Sequence, residues 1–248
     1  MKAMVLAAGL GTRLRPLTDT RPKALVEVGG RTLLEITLTR LRQFGIRDVI
    51  INVHHLAEMV VSYLQSHNNF GVHIEISRED ELLLDTGGGL KKAAWFLQDD
   101  SSREEPFLLH NVDVISNVDF RKMLDCHEQN RALATLAVQD RETSRYLLFD
   151  ESLRLSGRKS GPAGKIDLVR QARSPQALAF CGIHIISPRL LSMISEQGAF
   201  SIIDAYLRLA GAGENITGFR VDDFYWRDVG RPEQISLAAA GFATGRIS

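Results

Sequence analysis

The sequence predicts an α/β fold. It would be Rossmann-like and three-layered, a mixed, mainly parallel sheet with helices on both faces. Two observations predict it. Short, uncharged apolar runs of the kind a strand buried on both faces needs alternate with stretches of helical periodicity at regular spacing. The first of these runs, Ala3-Met4-Val5-Leu6-Ala7-Ala8, ends in two glycines one residue apart, Gly9 and Gly11, where a backbone without Cβ turns sharply and lets a phosphate approach its N–H groups.

The elements follow in order. After the glycine turn, Thr32 to Phe44 is a predicted helix: Leu34, Leu38 and Leu41 recur at i, i+4, i+7, and Gly45 stands at its C-terminal stop. Val49 to Val53 is a second buried strand, and Leu56 to Leu64 a second helix. Val72 to Ser77 alternates apolar and polar residues, as a strand near a sheet edge does. Asp85-Thr86-Gly87-Gly88-Gly89 opens a helix carrying Leu90, Ala94 and Leu97. A buried strand follows from Pro106 into Asp113, then a helix from Asp119 to Gln129 and a strand from Ala132 to Val138. In the second half, Arg145 to Asp150 and Leu153 to Ser156 suggest short strands, and Gly157 to Gly164 a polar turn region. Leu178 to Ser187 is a long strand. Short helices are expected at Pro188 to Ile194 and Ile202 to Leu209, strands at Ile216 to Val221 and around Tyr225-Trp226, and a closing helix at Pro232 to Ala240. No repeat, linker or break in composition divides the chain. One domain over 1–248 is expected, with a nucleotide-binding half of about 1–140 and a second half of about 141–240.

Composition narrows the function classes. The 248 residues, 44% of them hydrophobic, suffice for a large core. Thirty basic and thirty acidic side chains cancel, so no bulk field draws the chain to nucleic acid or anionic lipid. Cys126 and Cys181 are the only cysteines and lack metal-type spacing. No apolar run approaches the ~20 residues of a membrane span, and the N-terminus lacks a charged-then-apolar leader pattern, so a cytoplasmic protein without membrane contact is expected.

Arg13 and Lys23 bring two cations to the glycine turn, Arg as a planar fork and Lys as a point charge, and both suit phosphate oxygens. Strand, glycine turn and fixed cations together indicate a nucleoside triphosphate site. The dinucleotide fingerprint would need a third glycine where Leu14 stands, and no Gly-Lys-Ser/Thr of a Walker loop is present, which counts against a dehydrogenase. Ligands of an open parallel sheet lie beyond the carboxyl ends of its strands, which puts Asp113 on the same rim as the turn. Taken alone, Asp113 would more often be an N-cap or turn residue and Asp228 more often a surface loop residue, while Asp85 to Gly89 would as readily be a capped helix start. Glu79 and Glu81 stand upstream where they could touch a base, but solvated charges are the expectation for both.

The string Ala7-Ala8-Gly9-Leu10-Gly11-Thr12-Arg13-Leu14-Arg15-Pro16-Leu17-Thr18, with Pro22-Lys23-Ala24-Leu25 downstream, closely resembles the signature of the sugar-1-phosphate nucleotidyltransferases. Asn111-Val112-Asp113 falls where that family carries Asn-Gly-Asp, with valine for glycine, and Trp226-Arg227-Asp228-Val229-Gly230 resembles its Trp-x-Asp-x-Gly. The resemblance implies the nucleotide-diphospho-sugar transferase fold and Mg²⁺ held by Asp113 and Asp228. It implies catalytic roles for Arg13 and Lys23, and a nucleotide site formed by Leu6, Ala8, Gly9, Gly11, Thr12, Arg13, Lys23, Gly87 and Gly88. The glycines of Asp85 to Gly89 would let backbone groups reach base and ribose. The family's Glu-Lys-Pro, whose lysine meets the sugar phosphate, is absent between Ser156 and Ala179, leaving Asn111, Lys165 and Arg170 as candidates. Short relatives lack the triplet too, and nothing here corresponds to the β-helix some members carry at their C-terminus. The substrates implied are an NTP and a sugar 1-phosphate, as UTP with N-acetylmuramate 1-phosphate or GTP with mannose 1-phosphate. The enzyme would be a monomer or homodimer. The rival is a catalytically silent, nucleotide-binding regulatory relative, though such proteins tend to lose the cations or carboxylates kept here.

Overall fold

A computed structural model of the chain describes residues 1–98, 105–161 and 164–245. Strand β1 (Ala3–Leu6) leads through the glycine turn to a small hairpin, β2 (Glu27–Val28) and β3 (Arg31–Thr32), and then to α1 (Leu33–Gln43). Thr32 caps α1 by accepting from the Glu35 N–H at 3.1 Å, and Gly45 follows it with φ +81°. Next come β4 (Asp48–Val53), α2 (Ala57–Ser66), β5 (His73–Arg78), α3 (Asp85–Lys92), α4 (Ala94–Leu97), β6 (Phe107–Asn111), β7 (Val114–Ser116), α5 (Phe120–Gln129) and β8 (Ala134–Gln139). The second half holds β9 (Arg145–Phe149), β10 (Leu155–Ser160), β11 (Lys165–Leu168), β12 (Gln176–Ile186), α6 (Arg189–Met193), α7 (Ile202–Gly211), β13 (Ile216–Arg220), β14 (Trp226–Asp228) and α8 (Pro232–Ala243).

Ten strands form one mixed sheet. Its first half runs β5-β4-β1-β6, all parallel, with β5 at the edge as its alternation predicts. β12 then pairs antiparallel with β6, β8 and β9, which leaves β8 running in the same direction as β6. Neighbouring residues of β1 point to opposite faces. Ala3 and Val5 enter a core with Leu34, Leu38 and Leu41 of α1 and Met123 of α5, and Met4 enters another with Leu90 of α3 and Tyr206 of α7. Helices therefore cover both faces. Each fully buried leucine of α1 contributes roughly 1.5–3 kcal/mol to this packing.

Two expectations need correction. The polar stretch from Gly157 continues β10 to Ser160 and hairpins into β11, turning at Gly161 and Gly164 with φ +78° and +62°. It is polar because it lies at the outer margin of the sheet, where all of Lys165–Leu168 is exposed. The helix over Leu90 to Leu97 breaks at Ala93 into two pieces.

Candidate active site

The C-terminal ends of β1, β4, β5, β6 and β8 share one rim. In register there, Leu6 lies opposite Asn52 on one side and Asn111 on the other. Beyond Leu6 and the buried Ala8 the chain turns through Gly9 and Gly11. Gly11 has φ +65°, and a Cβ on it would lie 2.8 Å from the Thr18 methyl, while a Cβ on Gly9 would meet nothing within 4 Å. Thr18 ties the turn by donating its hydroxyl to the Gly11 carbonyl at 2.8 Å, and Thr12 opens the short 3-10 turn that carries Arg13. Among the described residues no protein acceptor meets the N–H groups of Gly9, Leu10 or Gly11. An open glycine face with unused donors suits an anion.

Asp113 and Asp228, distant in sequence, are joined by backbone pairing. β14 runs antiparallel to β7, with Asp228 opposite Val114, and the Val229 N–H donates to the Asp113 carbonyl at 2.8 Å. Lys23 Nζ donates to Asp113 Oδ2 in an ion pair. Burial would push the Asp113 carboxyl up, but the charge and hydrogen bond of the Lys23 ammonium hold it below its ordinary value. Asp228 moves the other way, raised by burial and then by the Asp113 charge facing it. Its Oδ1 is buried and has no hydrogen-bond partner.

Arg13 completes the group. A Cβ on Gly230 would lie 2.6 Å from an Arg13 guanidinium nitrogen and 2.7 Å from Asp228 Oδ1. Glycine at the end of the Trp-Arg-Asp-Val-Gly run thus lets the arginine from the first turn and the aspartate from the last strand approach each other.

The residues present fit a divalent cation. The buried Asp113 carboxyl and the half-buried Asp228 carboxyl lie near one another, Lys23 pairs with Asp113, and Asp228 Oδ1 lacks a hydrogen-bond partner. Among the described residues no group of three or more His, Cys, Asp or Glu could hold a metal on protein ligands alone. Such a donor set suits an ion that takes one or two carboxylates and fills its shell with water and phosphate oxygens, as Mg²⁺ does.

Beside Asp228 opens a polar cavity of about 520 Å³, lined among others by Arg13, Arg141, Arg227, Arg231 and Trp226. Arg141 follows β8. Its guanidinium lies 4.1 Å from the centre of the Trp226 ring and donates to the Phe180 carbonyl at 3.0 Å, while its buried Nε has no partner. Trp226 is pinned in turn, its indole N–H donating to the Cys181 carbonyl at 2.7 Å. The strand-end rule that located Asp113 also covers Arg141, but no motif marks it.

Not every expected residue joins this group. Lys165 is exposed on β11, and Arg170 reaches Asp150 at 3.4 Å; neither lines the cavity beside Asp228. Asn111 ends β6, with its side chain against Gly182. Gly87 and Gly88 are buried inside α3. A Cβ on Gly87 would lie 2.2 Å from the Phe200 ring, and one on Gly88 2.4 Å from the Gly198 carbonyl oxygen. Their missing side chains make room for the protein itself. Glu79 is 1% exposed, so the expectation of a solvated charge fails there, whereas Glu81 is exposed. No helix among the described residues is long and apolar enough to cross a membrane.

Residues 2–244 match the family model described as nucleotidyl transferase. The chain is 34% identical over 243 residues to the N-acetylmuramate alpha-1-phosphate uridylyltransferase of Caulobacter vibrioides, covering 96% of this chain and 94% of that protein. It is 31% identical to the enzyme of the same name from Neisseria meningitidis, covering 97% of both. It is 33% identical to the mannose-1-phosphate guanyltransferase of Yarrowia lipolytica over 94% of this chain, but spans only 61% of that protein. Among solved structures, UDP-glucose pyrophosphorylase complexed with UDP-glucose superposes with a TM-score of 0.78 at 17% identity, covering 98% of each chain. HddC from Yersinia pseudotuberculosis, complexed with GMP-PN, gives 0.75 at 20% identity, over 97% of this chain and 99% of that one. At such identities the likeness is one of fold.

Proposed function

The chain belongs to the nucleotidyl transferase family, and from that premise we propose that it transfers a nucleotidyl group from a nucleoside triphosphate to a sugar 1-phosphate, releasing pyrophosphate. The observation that carries this reading is the convergence of Arg13 with Asp228 over Gly230, next to Lys23 and Asp113, beside a glycine turn with unused N–H groups. These are the groups a triphosphate needs: donors, two cations and a carboxylate pair.

In the reaction an oxygen of the sugar phosphate forms a bond to the α-phosphorus while the bond from that phosphorus to the bridging oxygen of the leaving pyrophosphate breaks. The nucleophile is already anionic near neutral pH, so no protein base is required, and the work is positioning and charge stabilisation. The turn from Ala8 to Thr12 offers backbone donors to the phosphates. Arg13 holds the leaving end, and Lys23 exchanges its ion pair with Asp113 for a phosphate oxygen. Mg²⁺ bound by Asp113 and Asp228 would supply charge neutralisation for the triphosphate. The segment that leads into α3, Leu84 to Gly89, is assigned to the base side of the site, with Gly87 and Gly88 serving its packing against Phe200 and Gly198.

The acceptor phosphate takes the cavity lined by Arg141 and Arg231, with Arg227 steadied by its 2.6 Å bond to Gln234. This reading assigns to Arg141 the role that the sequence offered to Lys165 and Arg170. UTP with N-acetylmuramate 1-phosphate is the leading pair. What supports it is similarity over nearly the whole length of two uridylyltransferases of that name, against about three-fifths of the guanyltransferase. GTP with mannose 1-phosphate ranks second. A cytoplasmic enzyme is the reading we carry forward from the sequence, and all the groups named come from one chain, which suits a monomer as well as a homodimer.

A matrix of nucleoside triphosphates against sugar 1-phosphates, read by pyrophosphate release with Mg²⁺ present, tests this. Turnover fastest with UTP and N-acetylmuramate 1-phosphate is expected. Turnover only with ATP or CTP would overturn the pair, and triphosphate binding without turnover on any acceptor would favour the silent regulator.

A further inference from the structure

Behind the site lies a buried polar pair that the reaction itself does not use. Asn52 near the end of β4 is 2% exposed, and Glu79, just after β5, is 1% exposed. The Ala7 N–H donates to Asn52 Oδ1 at 2.7 Å, the Asn52 amide donates to Glu79 Oε1 at 2.7 Å, and the Leu84 N–H donates to Glu79 Oε2 at 2.8 Å. One line of hydrogen bonds therefore runs from the start of the glycine turn to the residue before α3. The amide can face only one way: its oxygen must meet a backbone N–H and its nitrogen a carboxylate. Gly89 closes over the pair, since a Cβ there would lie 2.8 Å from Glu79 Oε1 and 2.9 Å from Asn52 Nδ2.

Among the described residues no lysine or arginine pairs with the Glu79 carboxyl group, and His54 Nδ1 meets only the Glu79 backbone carbonyl, at 2.5 Å. A carboxylate buried against neutral donors is costly, and a packed apolar pair would stabilise the fold at least as well. What the polar pair gives instead is a fixed geometry between two loops. We propose that Asn52 and Glu79 form a positioning clamp for the nucleotide. The clamp sets the spacing between the Gly9–Gly11 turn, which meets the phosphates, and the Leu84–Gly89 segment on the base side. This rests on the reading above that these two segments hold the triphosphate. Neither residue is placed in contact with substrate; both act through backbone they hold.

The hydrogen-bond roles provide a test by exchange. In Glu79→Gln alone, a single oxygen must serve two donors, and the new amide is aimed at a donor. In Asn52→Asp alone, two buried carboxyls abut. The double variant exchanges the two groups. The carboxylate now at position 52 accepts from the Ala7 N–H and from the amide now at position 79. The oxygen of that amide accepts from the Leu84 N–H, so every bond can be remade. Triphosphate binding is measured by titration calorimetry with UTP and Mg²⁺ and no acceptor, alongside KM values for each substrate and melting curves. Each single variant should weaken triphosphate binding about tenfold or more, the effect of one unsatisfied buried group, while KM for the sugar phosphate stays within about twofold. The double variant should return triphosphate binding to within about threefold of wild type.

A merely structural role would lower melting temperature without this split between the two substrates. Single variants that bind triphosphate as wild type does overturn the clamp, and so does a double variant in which the two defects add. If a single variant does not fold, a folded double variant that binds about tenfold worse than wild type overturns it as well. Wild type that binds triphosphate yet turns over no acceptor overturns the reaction and leaves the clamp standing.

Discussion

Gly230→Ala is the sharpest probe of the site, because the structure gives its consequence in ångströms. Gly230 does not have a positive φ, so alanine meets no backbone penalty there. Its new methyl would lie 2.6 Å from an Arg13 nitrogen and 2.7 Å from Asp228 Oδ1, whereas ordinary contact begins near 3.4 Å. Both contacts lie under 3.0 Å, so both groups must retreat, Arg13 by about 0.8 Å and Asp228 by about 0.7 Å. Arg13 is exposed and sits on a long side chain, so it gives easily, while the half-buried Asp228 carboxyl must turn as well, and stability should change by about 1 kcal/mol. Displacement of that order from a productive geometry lowers turnover by roughly a hundredfold. The assay is pyrophosphate release under saturating substrates, with a thermal melt as control. Combining Gly230→Ala with Arg13→Ala separates the two displacements. Any slowing of the double variant below Arg13→Ala alone is the share that comes from moving Asp228. Gly230→Ala with kcat within about twofold of wild type would refute the assembly of Arg13 and Asp228 over this glycine.

Three further outcomes are expected. Asp113→Asn and Asp228→Asn should stay folded but lose two or more orders of magnitude of Mg²⁺-dependent turnover; near wild-type release from both would remove the carboxylate pair from the mechanism. Arg141→Ala should raise KM for the sugar phosphate about tenfold or more and leave triphosphate binding within about twofold, and the opposite pattern in the same kinetics would move Arg141 to the nucleotide side. Burial holds His127 down at about 4 and His184 at about 3, so both stay neutral in the fold while the unfolded chain takes up their protons. That loss is absent above about pH 6.5. It grows as pH falls toward 4, where His127 alone has lowered stability by about 3 kcal/mol, and then levels for that residue. Denaturant unfolding of His127→Gln should show a correspondingly shallower slope between pH 6.5 and 4, and an unchanged slope would refute this.

What the sequence made legible is what is local. Gly9, Gly11, Arg13 and Lys23 lie within one turn, and the strand-end rule sends Asp113 to the same rim. Periodicity located α1 because its buried leucines repeat along one face. What stayed hidden depends on distant partners. Glu79 looks like a surface charge until Asn52, 27 residues earlier, is seen to occupy it. Gly87 looks like an opening for ligand until Phe200 fills the space. Gly157 to Ser160 carries turn residues and yet pairs as a strand, because an outer hairpin has little apolar surface to bury. Arg141 carries no local mark, since what distinguishes it is a ring 85 positions away in the chain, Trp226.

The Lys23–Asp113 ion pair makes the ligand-free site selective about the company an anion keeps. A bare phosphate or sulfate that drew Lys23 away would leave Asp113 buried and uncompensated beside Asp228, at a cost of several kcal/mol. Lys23 can change partners cheaply only when a cation arrives for the carboxylates in the same event. On the proposed reading the pair is an electrostatic latch: an anion that arrives together with a cation can open it, whereas a bare inorganic anion meets the cost of an uncompensated carboxylate.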